Sequence, residues 1–254
     1  MKIDLEKAKK EFIKYTEKYN LNEETLKRKQ QHSLRVMELS KEIANRIGLE
    51  KEEIELATLI GLLHDIARFE QYTQYKTLKD IESFDHGDYG VKILYEEGLI
   101  KKYIETNEYD EIIKKAIKNH NKLKIEEGLN EKEMIFAKLI RDADKIDILY
   151  ESTKIFWIGE ENKINETKIT EKYWMQVLEK QLIKREKGVN IIGLDSILSV
   201  IVFIFDINFK ESFQILEEEN YINQIIDRFD TKYEKEKMKE LKKIANEYIK
   251  EKGW

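Results

Sequence analysis

The strongest constraint on this chain is an apolar run, Leu59-Ile60-Gly61-Leu62-Leu63, that passes directly into His64-Asp65 and continues Ile66-Ala67-Arg68. Leu56, Leu59, Ile60, Leu63 and Ala67 recur at helical spacing. An imidazole and a carboxylate at the end of a greasy helix are costly to bury unless something compensates them. A divalent cation compensates both, because it accepts nitrogen and oxygen donors together. The chain must then fold so that other segments bring further ligands to this point.

The periodicity on either side is helical throughout. A first helix covers the apolar positions Ile3 to Tyr19, and a second carries His32-Ser33-Leu34-Arg35-Val36 and ends near Gly48. The doublet helix is expected from Glu50 to Phe69. Residues 70–85 lose the pattern and read as a loop long enough to rim a pocket. Asp85-His86-Gly87-Asp88 opens the next helix, through Tyr95 and closed by Gly98. A short one follows at Leu99–Glu105, and another at Tyr109–Asn119 ends on His120-Asn121. After a loop at 121–130, Asn130 caps a helix whose centre reads Arg141-Asp142-Ala143-Asp144-Lys145-Ile146-Asp147. Beyond about residue 155, helices are expected at Glu171–Lys184, Asp195–Ile207, Lys210–Arg228 and Thr231–Glu251. Only Val200–Phe205 could pass for a strand. The fold class is all-α.

Composition narrows the chemistry. There is no cysteine, so disulfides and thiolate metal sites are excluded and any metal must sit on His, Asp, Glu, carbonyls or water. Charged residues are 38% of the chain and the formal net charge is -5, which leaves no basic footprint for extended nucleic acid. Proline is absent, where average usage of ~5% would give about 13. That suits helices, although the Lys, Ile, Glu and Asn excess already accounts for much of it as codon bias. Met1 to Glu6 lack the apolar core of a signal peptide. The greasiest segment, Ile191 to Ile207, is interrupted by Gly193, Asp195, Ser196, Ser199 and Asp206, short of the ~20 apolar residues a span needs. A cytoplasmic protein without a membrane segment is expected.

The four histidines are His32, His64, His86 and His120. Singly, each has an ordinary explanation: His32 as a surface residue on a charged helix, His86 in a first turn, His120 favoured by a helix C-terminus. Jointly, His32, the His64-Asp65 doublet and Asp144 come from three core-type helices, which together can offer two nitrogens and two oxygens to one ion.

This order of motifs resembles the HD-domain superfamily of metal-dependent phosphohydrolases, over about residues 28–151. The carriers are His-Ser-Leu-Arg-Val at 32–36, Leu-Leu-His-Asp-Ile-Ala-Arg at 62–68, Asp-His-Gly at 85–87, Asn-His-Asn at 119–121 and Asp-Ala-Asp-Lys-Ile-Asp at 142–147. The resemblance implies a helical bundle at 28–151, with an N-terminal helix at 1–27 and a C-terminal helical extension at 152–254 packed on it. It implies His32, His64, Asp65 and Asp144 as ligands of a first divalent ion. Asp142 rivals Asp144, which is preferred because Lys145 follows it. Asp142 and Asp147 read instead as charges on the helix surface. In some branches two further histidines hold a second ion bridged by the doublet aspartate, and His86 and His120 fall in that interval. In single-metal branches such histidines contact phosphate or donate a proton. The two-ion arrangement is preferred here, and one ion stays open. Imidazole-rich ligation favours Mn, Fe or Co over Mg.

The expected activity is hydrolysis of a nucleotide or other small phosphate ester by a metal-bound hydroxide, which Asp65 positions. Arg35 and Arg68 lie one turn from His32 and Asp65, and Lys145 adjoins Asp144, so all three are candidates to stabilise phosphate charge. Two alternatives stand beside this: a metal- and nucleotide-binding regulatory module with little turnover, and a di-iron oxygenase. A homodimer is compatible with the sequence.

Overall fold

The computed structural model describes residues 3–154 and 156–254. Among them there is no strand, and the all-α expectation holds. The chain divides into two units, Met1–Asp144 and Lys145–Trp254, with the boundary inside one long helix.

The first unit is built around α3, Lys51–Leu63. Every residue from Glu55 to Leu63 is buried, so this helix is covered on all sides rather than along one stripe. Burying a leucine or isoleucine contributes about 1.5–3 kcal/mol. Leu56, Leu59, Ile60, Leu62 and Leu63 together therefore offset the cost of the polar pair at the helix end. Helices α1 (Leu5–Thr16) and α2 (Glu24–Arg46) pack on α3. Glu50 and Glu53 form a reciprocal cap at its start.

The helix expected from Glu50 to Phe69 ends at Leu63 instead. Residues 64–67 tighten into turns held by Ile66 N–H to Leu63 O (3.1 Å) and Arg68 N–H to Asp65 O (2.9 Å), and α4 restarts at Arg68–Tyr75. Part of the expected 70–85 loop is thus helical. It leaves α4 through Lys76 in the left-handed region (φ 54°) and makes a 3₁₀ turn at Asp80–Glu82. Next come α5 (His86–Val91), a π-helical turn at Lys92–Glu96, a 3₁₀ turn at Leu99–Lys102 and α6 (Asp110–Asn119). Helix α7 spans Glu131–Lys154. It opens on a reciprocal cap in which Glu133 N–H donates to Asn130 Oδ1 (2.9 Å) and Asn130 N–H to Glu133 Oε2 (3.0 Å).

Close approach of α2 to α3 depends on Gly61. A Cβ there would stand 2.5 Å from Ser40 Oγ and 2.8 Å from the Val36 carbonyl. The hydroxyl can rotate away and the backbone carbonyl cannot. Gly61→Val is expected to cost about 2–3 kcal/mol, read as a lower urea midpoint at unchanged m-value. Unchanged stability would show that α2 can slide away freely.

The second unit contains α8 (Glu161–Asn165), α9 (Glu171–Leu178), α10 (Leu194–Ile201), α11 (Lys210–Glu219), α12 (Tyr221–Ile226) and α13 (Lys235–Gly253). Its interior includes Trp174, Leu198, Ile201, Phe213, Leu216, Ile225 and Leu241. The single helix expected over 210–228 is cut at Asn220, which adopts φ 56°; asparagine tolerates that region better than most residues. The helix expected to Lys184 stops at Leu178, with Lys180 also left-handed. Val200–Phe205 is helical, not a strand. No helix of the described residues is long and apolar enough to cross a membrane.

Candidate metal centre

Two histidines of the first unit are set by one local device. The last four carbonyls of a helix lack intrahelical partners. His64 follows the end of α3 and its Nδ1 donates to Gly61 O (2.8 Å); His120 follows the end of α6 and its Nδ1 donates to Ile117 O (2.7 Å). A carbonyl can only accept, so each Nδ1 carries the proton and each neutral ring turns its Nε2 lone pair outward. His86 opens α5, where no orphaned carbonyl is on offer, and its Nδ1 meets Asp80 Oδ2 at 2.6 Å. His32 lies fully buried within α2.

The four Nε2 atoms gather around Asp65. His64 Nε2 is 3.3 Å from His32 Nε2, and His86 Nε2 is 2.9 Å from His120 Nε2. Asp65 Oδ2 lies 3.5 Å from His32 Nε2 and 3.6 Å from His64 Nε2. Its other oxygen, Oδ1, lies 3.3 Å from His86 Nε2 and 3.6 Å from His120 Nε2. Asp144 Oδ1 completes the first group, 3.0 Å from His32 Nε2 and 3.6 Å from His64 Nε2. One carboxylate oxygen therefore serves each pair of imidazoles. The ligand atoms of His32, His64 and Asp144 lie within 4.8 Å of one another, as do those of His64, Asp65 and His120.

The donor chemistry fits divalent metal. His86 and His120 both spend their Nδ1 protons elsewhere, so their neutral forms oppose two lone pairs at 2.9 Å, a repulsive arrangement without a cation. Ligands ~2.0–2.1 Å from an ion stand roughly 2.9–3.4 Å apart, close to the spacings here.

The HD domain family model matches residues 30–149. This segment is an HD domain. No curated protein and no solved structure matches the chain. HD domains bind divalent metals and generally act as phosphohydrolases, and the His/Asp cluster of this one can hold metal.

The electrostatics of the HD domain keep its donors available. Burial, first of all, holds His64 below the usual imidazole range, against the pull of Asp65 and Asp144. Burial and the Arg68 charge push His86 down to about 4. Burial works to raise Asp65, but Lys29, His64 and Arg68 together hold it well below the usual carboxylate range. Asp144 is likewise held well below, because His32 and His64 outweigh its burial.

Lys29 is a participant that the sequence did not single out. Its Nζ donates to Asp65 Oδ2 at 2.8 Å. Arg68 donates from Nε to Asp65 Oδ1 (3.3 Å) and from Nη1 to Gln71 Oε1, Leu78 O and Asp80 Oδ1. Arg35 is half-buried on α2, one turn beyond His32. In the second unit, Lys145 pairs with Asp206 at 2.8 Å. Asp142 and Asp147, expected as surface charges, are instead buried, at 0% and 1% exposure.

A pH dependence follows for the metal-free protein. An unfolded histidine titrates near 6.5, whereas His86 folded titrates at about 4. Between these values the unfolded chain binds more protons, so stability rises with pH. The contribution is full above about pH 6.5 and falls as pH drops toward 4, by on the order of 3 kcal/mol. Urea unfolding of chelator-stripped protein from pH 7 to 4.5 measures it; a flat profile would contradict the buried neutral imidazole.

Proposed function

We propose that the HD domain is a phosphohydrolase with two metal positions, acting on a nucleotide or another small phosphate ester. The observation that carries this reading is the division of Asp65, one oxygen toward His32 and His64 and the other toward His86 and His120. In this assignment His32, His64, Asp65 and Asp144 hold the first ion, and His86, His120 and Asp65 the second. Five or more imidazole and carboxylate donors favour Mn, Fe or Co over Mg.

Bound divalent ions supply Lewis-acid charge and a water of lowered pKa. The chain's own residues do the rest. Lys29 and Arg68, each donating to one oxygen of Asp65, fix the orientation of the shared carboxylate. Lys29 and Arg35, on the same helix as His32, are assigned to offset the negative charge of the phosphoryl oxygens. Arg68 is engaged by four acceptors and acts more as a fixture of the site than as a mobile phosphate clamp. Lys145 is kept as a further candidate for phosphate charge, once released from Asp206.

The test is metal analysis of protein purified without chelator, followed by turnover of activated phosphodiesters and a nucleotide panel. Two ions per chain and hydrolysis are expected. Ligand binding without turnover in the two-ion protein would overturn the hydrolase reading in favour of a regulatory module. Iron-dependent oxygen consumption would overturn it in favour of an oxygenase.

A further inference from the structure

The other residues around the cluster include one whose arrangement has a purpose of its own. Asp80 stands on the 3₁₀ turn between α4 and α5, outside the six side chains assigned to metal. Its carboxylate is held on both oxygens. Oδ2 accepts from His86 Nδ1 (2.6 Å) and Asn121 Nδ2 (2.9 Å). Oδ1 accepts from Arg68 Nη1 (3.0 Å) and Gln71 Nε2 (2.8 Å). Gln71 is fully buried and also donates to Ser83 Oγ and Phe84 O, which fixes the turn itself.

The need for Asp80 follows from where the histidines sit. His64 and His120 end their helices and use a carbonyl one turn back. His86 begins α5, and a helix start presents N–H groups rather than carbonyls. It therefore needs an acceptor from another segment to fix its tautomer and ring plane. Asp80 is that acceptor. Arg68 then connects Asp80 to Asp65 Oδ1, so that Asp65, Arg68, Asp80 and His86 form a closed ring of polar contacts.

We propose that Asp80 is the positioning residue of the second metal position, aiming His86 Nε2 at it through a carboxylate–imidazole–cation chain. This rests on the two-ion reading above. A carboxylate behind a ligating imidazole raises its basicity as well as orienting it, and loss of such a partner costs about 10–100-fold in metal affinity.

Equilibrium dialysis with Mn(II) tests this on the full chain. The wild-type protein is expected to take up two ions. Asp80→Ala is expected to keep one at wild-type affinity and bind the other about 10–100-fold more weakly. Asp80→Asn, which preserves size should the alanine variant fail to fold, is expected to show the same selective loss. Asp80→Glu is expected to restore most of it. Mn(II) EPR gives a second readout: at two equivalents a spin-coupled pair in the wild type, and in Asp80→Asn a largely six-line mononuclear spectrum that couples only at higher Mn(II). Two unchanged affinities in folded Asp80→Asn would overturn the positioning role and leave the proposed function standing. Equal weakening of both ions would overturn it too, since that is the mark of general disruption. A wild-type protein that binds fewer than two ions removes the two-ion reading and this proposal with it.

Discussion

Replacing Asp65 by alanine is expected to lose both metal positions and to destabilise the metal-free protein in the same step. The first effect follows from its placement. Each of its oxygens lies within 3.6 Å of two imidazole nitrogens, so its loss removes a donor from both histidine pairs at once. Loss of a partner behind a ligand already costs about 10–100-fold in affinity, and a shared ligand should cost at least that for each ion. Hydrolysis should fall to background. The second effect is independent of metal. Asp65 is 2% exposed and pairs with Lys29, itself 12% exposed, and with Arg68. Breaking a buried pair by removing one partner costs about 3–5 kcal/mol. Lys29 retains some water and Arg68 retains Asp80, so the lower end, about 3 kcal/mol, is expected. Urea unfolding in chelator measures the stability, and Mn(II) dialysis measures the ions. A variant that still takes up two ions would refute the role of Asp65 as the shared ligand.

The same residues show which parts of this site a sequence can reveal. The four histidines, Asp65 and Asp144, which the structure brings close together, could be singled out because their order resembles a known family, and His64 and His120 also stand where an apolar helical pattern stops. Lys29 was within reach, since it precedes His32 by three residues as Arg35 follows it by three. In a chain with 46 lysines and arginines, though, that spacing says little alone. Asp80 was not legible. It lies where the pattern lapses, and its importance comes from a turn folded by Gln71, a residue whose burial no periodicity announces. The break of α3 at Leu63 was hidden because Ile66-Ala67-Arg68-Phe69 continue to favour helix, with no glycine or proline to mark the stop. Asp142 and Asp147 were misread for a related reason. A charge in a helical pattern is ordinarily solvated, and the burial of these two shows only in the folded chain.

Arg141 gives the second large effect. It is 1% exposed and on α7, and its Nη1 donates to Asn119 O and Lys122 O, each at 2.7 Å, and at 3.5 Å to His120 O. Asn119 O and His120 O lie at the end of α6 and Lys122 O in the turn after it, beyond the reach of intrahelical donors, and Asn119 O has only a long further bond from Lys122 N–H (3.4 Å). The guanidinium thus closes the helix terminus and fixes the turn from which His120 projects. Arg141→Met keeps the apolar stem and removes the donors. A buried carbonyl left unsatisfied costs about 1–3 kcal/mol; Asn119 O keeps only its long bond from Lys122 N–H and the part-buried Lys122 O can turn toward water, so the two lost bonds imply about 3 kcal/mol. At ~2–4 °C per kcal/mol for a chain of this size, the melting temperature should fall by about 10 °C. Arg141→Lys should recover only part of this, because one ammonium does not reproduce the planar fork of donors. The functional consequence should be selective. His120 loses its fixed turn while His32, within α2, and His64, after α3, keep theirs and Asp144 stays held within α7, so Mn(II) uptake at the second position should weaken more than at the first. An Arg141→Met protein with wild-type melting temperature and two unchanged affinities would show that the α6 terminus is held by something other than this side chain.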